Sequence, residues 1–201
     1  NGAGKSTLLS LLAGALPASG VKALKRWADL RAEPYRLSTY EDLEVFRRAR
    51  ELLAKLIGAK VEEIACMHNT SYGINVASLC LPLGEGDVVL TYDGEYPADV
   101  YPWMSLARKG VRLELIPKRN GLPDEARLLE ELKRPEVKVV TMSWVSFSTG
   151  YRADLATIGR ECRKRGIYFV VDAIQGVGAM TLDMSKLEID VLACGGQKWL
   201  L

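Results

Sequence analysis

The sequence predicts an α/β fold, a three-layer α/β/α sandwich around a mainly parallel sheet, and three observations carry that expectation. Short β-rich runs alternate with helical runs through most of the chain, several of those runs are apolar at nearly every position, and polar loops follow them. A strand that is apolar on both faces belongs in the middle of a parallel sheet covered by helices on each side. In such sheets ligands gather at the carboxyl ends of the strands.

The chain opens NGAGKSTLLSLLAG, and over residues 1–20 it resembles the start of an ATP-binding-cassette ATPase. The leading glycine of the full phosphate-loop pattern and the buried strand that feeds it are both missing. Without that strand the loop amides are not pre-organised around a phosphate. Asp172 does not complete such a machine as a magnesium ligand. Ala173 follows it where that family has a glutamate, no LSGGQ precedes it, and CGGQK downstream is a different motif. An ATPase fragment working through Lys5 stays as one alternative reading. The same opening also imitates a secretory signal, with one positive charge ahead of a short apolar stretch.

Ser38 begins STYE, a capping box with Glu41, and Leu43, Phe46, Leu52, Leu53 and Leu56 then recur at helical spacing until Gly58. Strands are predicted at 63–67, 87–92, 111–116, 137–144, 167–173 and 190–195. The helical runs between them are SYGINVASLCL, PADVYPWMSLARKG, PDEARLLEELKR and ADLATIGRECRKRG. The last shows the logic: Leu155, Ile158 and Cys162 make one apolar stripe, Arg163, Lys164 and Arg165 load the final turn with positive charge, and Gly166 ends it.

Composition excludes several functions. At 201 residues, 48% hydrophobic and 26% charged, the chain holds enough apolar material for one sizeable core. A net charge of +2 with interspersed signs gives no footprint for nucleic acid or an anionic membrane. Apolar runs fall short of a membrane span. Cys66, Cys80, Cys162 and Cys194 are irregularly spaced and read as buried small hydrophobes in a reducing cytoplasm, with no metal site. His68 is the only histidine, and no GxSxG motif accompanies it, which weakens any Ser/His/Asp or Cys/His mechanism.

The loops after the predicted strands read HNTSYG, DGEYPA, VSFSTGYR, DAIQGVG and GGQKWLL. In GGQKWLL, Lys198 lies just beyond a strand and two glycines, where an amine can approach a flat cofactor once its pKa is lowered. Asp172 ends the most apolar strand, and a buried carboxylate without a partner is costly. Thr70, Ser71 and Tyr72 open a helix whose free amides attract a dianion, although a plain N-cap explains Thr70 or Ser71 equally well.

With these motifs in this order, the chain from LPASGVKALKRWADLRAEPYRL onward resembles the class V aminotransferase family, in the branch of isopenicillin N epimerase-like and cysteine desulfurase-like enzymes. The resemblance implies the large domain of a fold type I, pyridoxal-phosphate-dependent transferase over 21–201, incomplete at its C-terminus, with 1–20 foreign to it. It implies pyridoxal 5'-phosphate as cofactor, a small amino substrate and a homodimer when full length. It makes Lys198 the Schiff-base lysine and Asp172 the partner of the pyridinium nitrogen. That attraction is on the order of 5 kcal/mol gross at an effective dielectric near 20. Gln175 is implied at the phenolic oxygen, and Thr70, Ser71, Tyr72 and Gln197 around the phosphate. Tyr96 takes the place of a histidine that stacks on the ring in desulfurases, and a tyrosine supplies the same flat face.

The sequence also departs from the family pattern. Ser146 and Phe147 stand where many relatives have Ser-Asn, and Gly195, Gly196, Gln197 and Lys198 where they have SGHK. None of the four cysteines matches the desulfurase nucleophile. These departures lean toward the epimerase-like branch, leave the reaction open, and predict weak or no turnover from the chain as it stands. A non-catalytic domain that keeps the fold is the remaining alternative.

Overall fold

The computed structural model describes residues 18–36 and 39–200. The phosphate-loop residues 1–17, including Lys5, and the capping serine at 38 lie outside the described residues. The chain divides into two compact units, one of Met67–Gly195 and one drawn from residues up to Cys66 together with those from Gly196 onward.

In the first unit, α3 (Thr70–Cys80) precedes β1 (Val88–Tyr92), and α4 (Tyr101–Met104) precedes β2 (Arg112–Ile116). Then come α5 (Glu125–Glu131), β3 (Val137–Ser143), α6 (Leu155–Arg165), β4 (Tyr168–Asp172) and β5 (Val191–Ala193). The other unit holds α1 (Ala18–Ala32) and α2 (Thr39–Ile57). The five strands form one sheet in the order β2-β1-β3-β4-β5, and every neighbouring pair is parallel.

Sequence and position in the sheet agree. The central strands β1, β3 and β4 are buried along nearly their whole length, whereas β2 and β5 at the edges are half exposed. One face of the sheet buries Val89, Val139 and Val170 against Ile74 and Ala77 of α3, with Trp103 and Leu106 completing that cluster. On α6 the predicted stripe Leu155, Ile158 and Cys162 is buried. Asp154 caps this helix by accepting from Thr157 N at 3.1 Å, and Gly166 ends it in the left-handed region at φ 65°. At the β2 edge, Arg134 binds Glu114 (2.6 Å), Glu131 (2.9 Å) and Glu136 (3.0 Å), and Arg112 lies 3.5 Å from Glu114.

Two expectations need correction, the strand at 63–67 and the burial of Cys66 and Cys80. The run 63–67 is not a strand: a 3-10 turn takes Val61–Glu63, closed by Lys60 N donating to Glu63 Oε2 at 2.8 Å. The residues after it pair with none of the five strands, and only Ile64 is partly buried, so neither ladder bonds nor burial favour a strand there. On α2, Leu43, Phe46, Leu52 and Leu56 are exposed, while Ala54 and Ile57 are buried. Cys66 and Cys80 are exposed free thiols; Cys162 is buried and Cys194 half-buried. Among the described residues no helix is long and apolar enough to cross a membrane, and no group of side chains is arranged to hold a metal ion.

Burial sets the scale for two substitutions. Phe169→Ala, at a fully buried site in β4, is expected to lower unfolding free energy in urea by about 3–5 kcal/mol. Leu43→Ala, on the exposed face of α2, is expected to change it by no more than about 0.5 kcal/mol.

Candidate active site

Because all five strands run the same way, Tyr92, Ser143, Asp172 and Ala193 end at one edge of the sheet. Ser143 and Asp172 are register partners, as are Asp172 and Ala193. The start of α3 lies over this edge. A Cβ placed on Gly73 would sit 3.0 Å from the Ala193 Cβ, a contact tight enough that one of the two would have to give way slightly, so the glycine eases the close approach of the helix.

Asp172 is 2% exposed. Its Oδ1 accepts from Ile174 N at 2.8 Å, so the side chain caps the turn that follows as well as sitting in the interior. Gln175, half-buried, comes three residues later in that turn. Trp144, the first residue after β3, fastens this corner: its N donates to Asp172 O at 2.8 Å, and its carbonyl accepts from Ala153 N at 2.9 Å. The indole lies so close to Gly176 that a Cβ there would fall 2.0 Å from Trp144 Cε3.

At the start of α3, Thr70 is 5% exposed and its Oγ1 is buried without a hydrogen-bond partner among the described residues. Asn69 is the N-cap, its Oδ1 accepting from Tyr72 N at 2.8 Å. The cap therefore already occupies the Tyr72 amide. Ser71 is half-buried, and the Tyr72 side chain is exposed with its ring edge-on to His68 at 5.9 Å.

Tyr96 follows β1 and is 46% exposed, its ring edge-on to Phe147 with centroids 5.3 Å apart. The carboxyl edge of residues 67–195 thus gathers Thr70, Ser71, Tyr72, Tyr96, Asp172 and Gln175. Lys198 and Gln197 are exposed residues of a run of turns, 196–200, that belongs to the other unit.

Sequence reasoning missed a second set of polar groups at this edge. Glu95 accepts from both the Ser143 amide (Oε1, 3.1 Å) and the Ser143 hydroxyl (Oε2, 2.7 Å). Asp99, wholly buried in the 3-10 turn Pro97–Asp99, has Oδ2 3.4 Å from the same hydroxyl. Burial pushes the Asp99 carboxyl well above the ordinary carboxylate range. The negative charges of Asp172 and Glu95 push it the same way, against the opposing pull of the Ser143 hydroxyl. The available signal was the density of acids in DGEYPAD directly after a buried strand. Burial also pushes the Cys162 thiol up to about 12 and the Cys194 thiol up to about 11, so both stay protonated at neutral pH and are poor nucleophiles.

A parallel sheet with a buried acid at the carboxyl end of a central strand, flanked by a helix start and an aromatic ring, is an α/β domain whose polar groups lie where such sheets receive ligands. The family model for aminotransferase class-V matches residues 32–201, and the chain belongs to that family. It is 34% identical over 157 residues to a Pyrococcus abyssi protein named "Probable cysteine desulfurase", covering 76% of this chain and 39% of that protein. To the cysteine desulfurase IscS of Klebsiella pneumoniae it is 33% identical over 154 residues, covering 75% of this chain and 38% of the relative.

Among solved structures it is similar to a lysine-to-alanine mutant of C-DES with glycine covalently linked to the PLP cofactor. There the TM-score is 0.83 at 25% identity, over 92% of this chain and 50% of that one. The apo cysteine desulfurase of Thermococcus onnurineus NA1 gives 0.73 at 30% identity, over 81% and 42%. The chain thus spans well under half the length of these curated relatives.

The Trp144 contact yields a test of how this corner is held. Gly176→Ala forces the indole or the backbone after Asp172 to shift, and is expected to cost about 1–3 kcal/mol in urea unfolding. An unchanged midpoint would show that the corner has room to spare.

Proposed function

We propose that this chain is the cofactor-binding part of a pyridoxal-phosphate-dependent enzyme that cleaves a carbon–sulfur bond in a small sulfur-containing amino acid, and that it works as a homodimer. The observation that carries the reading is Asp172, a buried carboxylate at the carboxyl end of central strand β4, in a chain whose relatives include cysteine desulfurases and whose structural neighbours include the cystine C-S lyase C-DES bound to its product cysteine persulfide. The cofactor-binding domain is read as 21–201, with 1–20 outside it.

The residues present fit the group. Thr70 Oγ1 is a buried hydroxyl without a partner among the described residues, at the start of an eleven-residue helix with no acidic residue in its first turn, a setting that suits a phosphate. A buried carboxylate suits a protonated ring nitrogen, and the exposed face of Tyr96 suits a flat heterocycle.

When bound, the cofactor supplies an electron sink for the pair left at the substrate α-carbon. Asp172 would hold the proton on the ring nitrogen by a charge-assisted hydrogen bond, keeping that sink electron-poor. Gln175 donates to the phenolic oxygen. Tyr96 covers one face of the ring and keeps water from it. Thr70 and Ser71 anchor the phosphate, with the Tyr72 and Gln197 side chains beside it, because Asn69 already takes the Tyr72 amide. Lys198 would be the residue to hold the cofactor, through its Nζ, and its amine would serve to carry a proton to and from the substrate α-carbon.

Incubation with pyridoxal phosphate followed by borohydride reduction and peptide mapping is expected to place the label on Lys198, with Lys198→Ala unlabelled. A label on other lysines alone would refute the assignment. Asp172→Asn should keep the covalent label but lose sulfide release from cysteine or cystine by at least about a hundredfold in the length-completed protein, equivalent to roughly 2.7 kcal/mol of lost transition-state stabilisation.

A further inference from the structure

The acids near Asp172 raise a question of proton count. Asp99 is 0% exposed, and its Oδ1 has no hydrogen-bond partner among the described residues. Between Asp99 and the half-buried Glu95 lies a single hydroxyl, Ser143 Oγ, 2.7 Å from Glu95 Oε2 and 3.4 Å from Asp99 Oδ2. A serine hydroxyl carries one proton and two lone pairs. The shorter contact takes the proton, and the Ser143 amide reinforces it by donating to Glu95 Oε1. Toward Asp99 the hydroxyl therefore presents a lone pair. A carboxylate facing that lone pair would be two acceptors in contact inside the protein, whereas a protonated carboxyl makes a donor of Oδ2.

We propose that Asp99 is a neutral acid at physiological pH, donating from Oδ2 to Ser143 Oγ, which in turn donates to Glu95, and that Asp99 serves as a positioning residue that adds no further negative charge beside Asp172. Burial, and the neighbouring charges of Asp172 and Glu95, act in the same direction. The remaining titratable groups on the packed elements do not intervene. Helices α3 and α4, which pack on the turn of Asp99, carry no Asp, Glu, Lys or Arg, and their Tyr72, Cys80 and Tyr101 are exposed. On β3 the one charged residue, Lys138, sits at the opposite end and donates to Pro135 O at 2.9 Å.

A second carboxylate beside Asp172 would raise the basicity of Asp172 and draw its proton-binding away from a ligand. A neutral Asp99 removes that competition. Only this consequence rests on the proposed role of Asp172; the protonation of Asp99 does not.

The test needs no cofactor. An acid whose pKa is raised in the folded state holds an extra proton there between its unfolded value, about 3.9, and its folded one. Its contribution to stability is fully present below the unfolded value and is lost as pH rises through the folded value. Urea unfolding of the chain and of Asp99→Asn is to be followed from acid to neutral pH. The unfolding constant of the wild type is expected to rise relative to the variant by up to about tenfold per pH unit across that window. Parallel pH profiles would overturn the proposal.

Should Asp99→Asn fail to fold, infrared spectroscopy of the wild-type chain at neutral pH is expected to show the carbonyl stretch of a protonated carboxylic acid, shifted in Ser143→Ala. Absence of that band would equally overturn it. Either outcome is independent of the borohydride label on Lys198, so failure here and failure of the proposed function are told apart.

Discussion

Parallel pairing in fixed register is the constraint on which the rest of the structure depends. Strands that run the same way must all end on the same side, so the register of β3 against β4 sets Ser143 beside Asp172, and that of β4 against β5 sets Ala193 beside Asp172. The apolar bodies of β1, β3 and β4 make that register expensive to slip. A one-residue shift would exchange the two faces of the sheet and break the packing of Val89, Val139 and Val170 on α3. Chemistry at the edge is thus held by hydrophobic burial several residues away from it.

The same constraint explains why polar groups at this edge are so deeply buried. Asp172 ends central strand β4, Thr70 opens helix α3 and Asp99 closes the 3-10 turn that follows β1, and all three are buried. Burial of unpaired polar atoms costs free energy. Thr70 Oγ1 and Asp99 Oδ1 bear that cost within the described residues, as do the buried side-chain atoms of Thr91, Tyr92, Trp103 and Thr141 in and around the sheet.

Much of the fold was legible because periodicity and burial coincide. The strand runs from 87 onward, the α6 stripe and its Gly166 end all follow from local sequence. The run at 63–67 was not, since a strand requires a partner and the glutamate at 63 favours a capped turn instead. The leucines of α2 keep helical spacing yet lie exposed, because spacing marks a face without saying what covers it. In the site, Asp172 stood out as an acid ending an apolar strand. Glu95, Asp99 and Ser143 did not, since their link spans more than forty residues and arises from register. Trp144 likewise became meaningful only beside Gly176, a contact made by folding.

The outer edge of β2 has a further consequence. As an edge strand it offers backbone groups that another chain could pair with, the usual route to self-templated aggregates. Arg112 and Glu114 lie on that strand, and Arg134 with its ring of glutamates stands beside it, so an incoming strand would have to strip water from several ion pairs before forming a single ladder bond. The network is thereby a solubility device as much as a stabilising one, and it guards the flank of the sheet opposite β5.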